Sequence, residues 1–200
     1  MTNKTHYQRK LPHFHPPGEN FFITYRLVDS IPKPVLEGFK ETYIKVIENP
    51  NAYYTGKDYN LAKRLFIEAD HYLDSKLNGP YWLQDDAIAS IVANSLHCGH
   101  NKNYLLHCFS IMSNHVHVLL KHIDTAPSLS KILQMHKGAT AFECNKILNR
   151  SGQFWDRESY DRVVRNTVEF ERIKNYILNN PVKAGLVQDW RDWKWNYLAS

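Results

Sequence analysis

The sequence lacks any run near the roughly 20 consecutive apolar residues that a membrane-crossing helix needs. Its start, Met1 to Lys10, is polar and has no apolar stretch of the kind that marks a secretory signal. Both absences speak against a membrane or exported protein and set the expectation of a cytoplasmic one. Cysteine is scarce. Cys98, Cys108 and Cys144 form an odd set without disulfide-scaffold spacing, which suits a reducing compartment. The cluster His97, Cys98, His100, His107 and Cys108 matches no standard zinc-finger spacing. There is no internal repeat, low-complexity tract or linker. With 200 residues and 43% hydrophobic content, the chain reads as one domain spanning 1–200 with an extended arm at about 1–20.

What is present leans toward an anionic partner. The formal net charge is +5, a modest excess that favours such a partner without specifying it. Aromatic residues make up 13% of the chain and include Tyr53, Tyr54, Trp155, Trp190, Trp193 and Trp195, which are candidate stacking surfaces for unpaired bases. The competing use of such rings is to fill a core, because each buries a large area.

Hydrophobic patterning orders the elements. Prolines at 12, 16 and 17 keep the arm out of a helix. Phe21 to Leu27 is aromatic and β-branched and reads as a strand. Helical spacing follows Pro34 from Val35 to Ile47, then from Tyr59 to Leu77, and from Asp86 to Leu96 with Asp85 as cap. Tyr104 to Ile111 and His115 to Lys121 read as strands joined through Met112-Ser113-Asn114, antiparallel if the turn is tight. A helix from Ser128 to Leu148, a short strand or loop at Phe154 to Arg157, and a helix from Val168 to Asn179 complete the series. The last helix is expected to stop there, since Pro181 disfavours helical geometry at Asn180. The fold class is α+β, helices packed on one antiparallel sheet.

Within that frame His115 and His117 share one face of a strand, with Val116 and Val118 turned into packing. This is half of a metal site. Tyr176 and Asn180, four apart on a helix, share one face and supply a candidate nucleophile and third ligand. Tyr160 is a rival nucleophile, but Val164 rather than an amide stands four residues on. Arg157, Arg162, Arg165 and Lys183, with Arg172 and Lys174, are candidate phosphate contacts, a role that a solvated charged face would also explain. His13-Phe14-His15 lies between prolines and is read as recognition or packing.

The motifs Leu11-Pro12-His13-Phe14, Gly79-Pro80-Tyr81-Trp82-Leu83, Met112-Ser113-Asn114-His115-Val116-His117, Phe154-Trp155-Asp156-Arg157, Tyr160-Asp161-Arg162 and Asn180-Pro181-Val182-Lys183-Ala184-Gly185-Leu186-Val187 together resemble the REP-associated tyrosine transposases. These are relatives of the single-tyrosine insertion-sequence transposases in the HUH nuclease superfamily, where HUH denotes histidine, bulky hydrophobe, histidine. The resemblance implies a ferredoxin-like, HUH-type nuclease domain. It further implies a metal-dependent single-stranded DNA endonuclease and strand transferase acting on hairpin-forming repeated extragenic palindromes. Tyr176 would form a 5′-phosphotyrosine, and His115, His117 and Asn180 would hold the metal. Imidazoles suit zinc while amide and phosphate oxygens suit magnesium or manganese; the resemblance favours Mg2+ or Mn2+. It also points to a monomer, with a helix-exchanged dimer as the alternative.

Two features depart from the family pattern. Ser159-Tyr160 stands where the family often has two tyrosines, and the chain ends in Trp195-Asn196-Tyr197-Leu198-Ala199-Ser200 rather than a Trp-x-Ser-Ser-like sequence. Both bear on substrate recognition. The competing functional readings are a non-cleaving DNA hairpin-binding protein, repressor or scaffold, and a metallohydrolase of small phosphoesters.

Overall fold

The structure is a computed structural model that describes residues 6–8, 12–38, 57–75 and 79–199. The strands are β1 (His6–Gln8), β2 (Pro12–Phe14), β3 (Asn20–Leu27), β4 (Tyr104–Ile111), β5 (His115–His122), β6 (Trp155–Val163) and β7 (Asn196–Leu198). The helices are α1, described over 33–38, α2 (Lys57–Asp74), α3 (Asp86–Gly99), α4 (Leu129–Ile147) and α5 (Thr167–Lys183). The rest of the helix expected up to Ile47 lies outside the described residues, as do Tyr53 and Tyr54.

Five strands form one sheet in the order β6-β3-β5-β4-β7, antiparallel throughout. The fold is the expected α+β one. Alternation along β5 assigns its side chains to the two faces of the sheet. Val116, Val118 and Leu120 join Phe21, Ile23 and Tyr25 of β3 in a core with Ile88, Val92 and Leu96 of α3 and Leu129, Ile132 and Leu133 of α4. The opposite set points to the other face, where Leu119, with Phe22 and Cys108, packs on Ile173, Ile177 and Leu178 of α5. His115 and His117 belong to this second face because they share the parity of Leu119. Register agrees: Thr24 of β3 stands opposite both His117 of β5 and Tyr160 of β6. The β4–β5 turn is tight, closed by Met112 N–H donating to the His115 carbonyl at 2.9 Å.

Local chemistry accounts for the helix ends. Asp85 caps α3, its side chain accepting from Ala87 N and Ile88 N. Asn166 caps α5 by accepting from Glu169 N at 2.8 Å. The expected stop of α5 at Asn179 is corrected: the helix runs through Pro181 to Lys183. It closes instead at Gly185, whose φ of 68° suits glycine. There Leu186 N–H bonds the Pro181 carbonyl and Gly185 N–H bonds the Val182 carbonyl, the paired bonds of a Schellman cap. Proline in the last turn forfeits one bond to Ile177, and the cap with burial of Pro181 offsets it.

Two further differences concern the sheet edges. β6 is a nine-residue edge strand rather than a four-residue one, because β3 pairs with it along residues whose charges look like loop. β7 is an additional short strand against β4. In the arm, β1 and β2 pair antiparallel with each other. His15, just beyond β2, is buried and bonds Asp161 of β6 at 2.8 Å, so this part of the second His-x-His is packing.

Candidate active site

The site forms where α5 and α2 cross the histidine-bearing face of β5. His115 and His117 are 1% and 0% exposed, and their Nε2 atoms lie 3.0 Å apart. Asn180, on α5, is equally buried and its amide lies 2.7 Å from His117 Nε2. The Tyr176 ring, one helical turn earlier, has its centroid 5.5 Å from that of His117. The structure thus brings together the four side chains singled out from the sequence, two from the strand and two from the helix.

α2 adds residues that sequence reasoning missed. Asp70 Oδ1 lies 3.1 Å from His117 Nε2 and 3.9 Å from His115 Nε2, and Asp74 Oδ1 lies 3.9 Å from His115 Nε2. Asp70 Oδ2 accepts the Tyr176 hydroxyl and, at 3.3 Å, the Lys183 ammonium. Lys183 also donates to Asp74 Oδ2 at 2.9 Å. The only sequence signal was Asp70 itself, an acid flush with the apolar stripe of Leu65, Phe66 and Leu73. A buried acid at such a position is rare unless paired.

Neighbours fix the imidazoles. Asn114 donates its amide to the Leu73 carbonyl at 3.2 Å, which leaves Asn114 Oδ1 as an acceptor 2.7 Å from His115 Nδ1. His115 therefore carries its proton on Nδ1 and turns the Nε2 lone pair inward. Burial and His117 push the His115 pKa down to about 3, so the ring is neutral. His117 Nδ1 is matched with Thr24 Oγ1 at 2.7 Å. Burial pushes Asp70 upward, but hydrogen bonding from His117 and the Tyr176 hydroxyl opposes it, and the carboxyl is held below the usual carboxylate range. Burial and the Asp70 carboxylate push the Tyr176 phenol well above its ordinary value.

This set of atoms is short of positive charge. Asp70 Oδ1 and Asp74 Oδ1 are buried without a hydrogen-bond partner, 3.1 Å from His117 Nε2 and 3.9 Å from His115 Nε2 respectively, and Asn180 Oδ1 is likewise buried and unpartnered. Such orphaned acceptors are costly unless a cation sits among them. Asp70, His115 and His117 each offer a ligand atom within 4.8 Å of the others, and among the described residues no other His, Cys, Asp and Glu group does. The donor set fits a divalent ion, with Asn180 able to present Oδ1 by a half-turn of its amide.

The Tyr160 ring stacks on Phe66 with centroids 4.2 Å apart and lies edge-on to Phe22. Arg162 pairs with Glu169 at 2.7 Å and Lys183 with the α2 carboxylates, so both cations face acids of the chain itself. Arg157 and Arg165 are exposed. Arg172 and Lys174 pair with Glu169 and Glu171 one turn away on α5. No described helix is long and apolar enough to cross a membrane.

A histidine pair on a central strand thus faces a tyrosine and an amide one turn apart on a helix, the arrangement that the motif resemblance leads one to expect. Residues 84–180 match the model of the family described as Transposase IS200 like, a stretch that holds His115, His117, Tyr176 and Asn180. A REP-associated tyrosine transposase, solved bound to a REP hairpin, is similar in fold with a TM-score of 0.54 at 14% identity over 95% of this chain and 80% of that chain. No curated protein sequence matches the chain significantly. The resemblance drawn from the motifs holds at the level of family and fold.

Proposed function

We propose that this protein is a metal-dependent single-stranded DNA endonuclease and strand transferase that acts on hairpin-forming sequences through a 5′-phosphotyrosine. The observation that carries the reading is the convergence of Tyr176 on a buried cluster of two inward imidazoles, an amide and a carboxylate with unmet need for a cation. His115, His117, Asn180 and Asp70 would hold the ion, which when bound polarises a phosphate and stabilises charge on its non-bridging oxygens. The Tyr176 oxygen would attack phosphorus, forming the tyrosine–phosphorus bond as the bond to the 3′ oxygen breaks and that oxygen takes a proton. Because one phosphodiester replaces another, rejoining to a second 3′-hydroxyl needs no nucleotide cofactor. Imidazole and carboxylate donors together suit manganese, with magnesium acceptable to the oxygens.

Tyr176 is preferred to Tyr160 because its ring lies beside His117 while that of Tyr160 stacks on Phe66. A labelled hairpin oligonucleotide with single-stranded flanks, incubated with Mn2+ and resolved on a denaturing gel, checks this. A protein–DNA adduct is expected from the parent and from Tyr160→Phe, and none from Tyr176→Phe, His117→Ala or the chelator-treated parent. An adduct from Tyr176→Phe with none from Tyr160→Phe reverses the assignment. One observation favours the non-cleaving reading: the Tyr176 hydroxyl donates its proton into a hydrogen bond with the buried Asp70 carboxylate. Hairpin binding with no adduct in either metal would establish that alternative.

A further inference from the structure

We infer that Asp70 is shared between the metal ion and the nucleophile, ligating the ion through Oδ1 while Oδ2 holds the Tyr176 hydroxyl beside it. The inference deepens the proposed function and rests on it. Asp70 is carried by α2, which lies before residues 84–180 and so outside the stretch that matches the family. The placement of this carboxylate follows from the packing of α2 on β5 and α5 in this chain.

Several observations converge on it. The Asp70 side chain is 1% exposed, and Oδ1 lacks a hydrogen-bond partner while standing 3.1 Å from His117 Nε2. A carboxylate oxygen so placed, beside a ring nitrogen whose far side is anchored by Thr24, faces the same point as His115 Nε2. The second oxygen is fully used, accepting from Tyr176 and Lys183. One planar group thus has one edge turned to the cation position and the other to the phenol, so movement of either oxygen is transmitted to the other.

Lys183 and Asp74 keep that plane from rotating. The ammonium bridges Asp70 Oδ2 and Asp74 Oδ2 from α5, the helix that carries Tyr176, so α2 and α5 are joined at the site itself. The consequence is that an ion arriving at Oδ1 is felt at the phenol without backbone movement. Asp70 is accordingly both a metal ligand and a positioning residue for Tyr176.

The test uses the full chain without DNA. Mn2+ binding is followed by the paramagnetic resonance signal of the free ion for the parent, Asp70→Asn, His117→Ala and Glu143→Gln, the last a charge control on an exposed acid of α4. Asp70→Asn is expected to weaken binding tenfold or more, with Glu143→Gln unchanged and His117→Ala without measurable binding. In parallel, fluorotyrosine-labelled protein is titrated with Mg2+ and the Tyr176 resonance assigned by its loss in Tyr176→Phe. That resonance should move in the parent and stay in place in Asp70→Asn at saturating Mg2+. Undiminished affinity in Asp70→Asn, with binding lost in His117→Ala, overturns the inference and leaves the proposed site standing. Undiminished affinity in His117→Ala overturns the site as well. Should Asp70→Asn fail to fold, Asp70→Glu replaces it, and an unaltered affinity together with an unaltered resonance shift overturns the shared role.

Discussion

At the scale of single residues, the site is governed by which proton each imidazole keeps. Asn114 sets that of His115, and its own amide is oriented by the Leu73 carbonyl at the end of α2. Replacing Asn114 by Ala removes the acceptor that holds the Nδ1 proton, and loss of such an outer partner lowers metal affinity by about 10–100-fold. Calorimetric titration with Mn2+ checks this, with the fold monitored by near-ultraviolet dichroism. His115, His117, Tyr176 and Asn180 were legible in the sequence because strand and helix periods place each pair on one face. Asp70, Asp74 and Thr24 were not. Their roles come from one helix lying across another element's face and from strand register, neither of which local spacing encodes. Asn114 stood in the Met-Ser-Asn-His-x-His motif, but its carbonyl partner is 41 positions away.

At the scale of elements, β3, β4, β5, α3 and α4 were readable within a few residues because apolar periodicity and the Asp85 cap agree with the tertiary packing. β6 was cut short because Asp156, Arg157, Glu158, Asp161 and Arg162 interrupt its apolar positions, as an edge strand permits. The end of α5 was misplaced because Pro181 outweighs a glycine four residues later in any local reading. Gly185 supplies the decisive conformation, and forcing a Cβ into it is expected to cost about 1–2 kcal/mol. Urea unfolding of Gly185→Ala should show that loss. The altered cap lies one turn past Asn180, so metal affinity measured on the folded variant should fall with it if the last turn frays.

At the scale of the whole molecule, buried histidines couple stability to acidity. His136 is held between the Tyr25 hydroxyl at 2.7 Å and the Ser95 hydroxyl at 2.8 Å, and burial with Lys137 nearby pushes its pKa down to about 3. His115 is pushed equally low. In the unfolded chain a histidine titrates near about 6.5, so below that pH the unfolded state takes up protons that the folded state refuses. Stability is therefore full above pH 6.5 and is lost as the pH falls toward 3. Urea midpoints between pH 7 and 5 should decline for the parent and decline less for His136→Gln, which keeps a polar side chain but cannot charge.

The arm has a consequence for solution behaviour. The His15–Asp161 pair fastens the segment just after β2 alongside β6, and β2 lies against that strand. At the other margin β7 offers only three residues. An uncovered margin of a sheet invites accretion of foreign strands, and here a segment of the same polypeptide stands guard over the longer one.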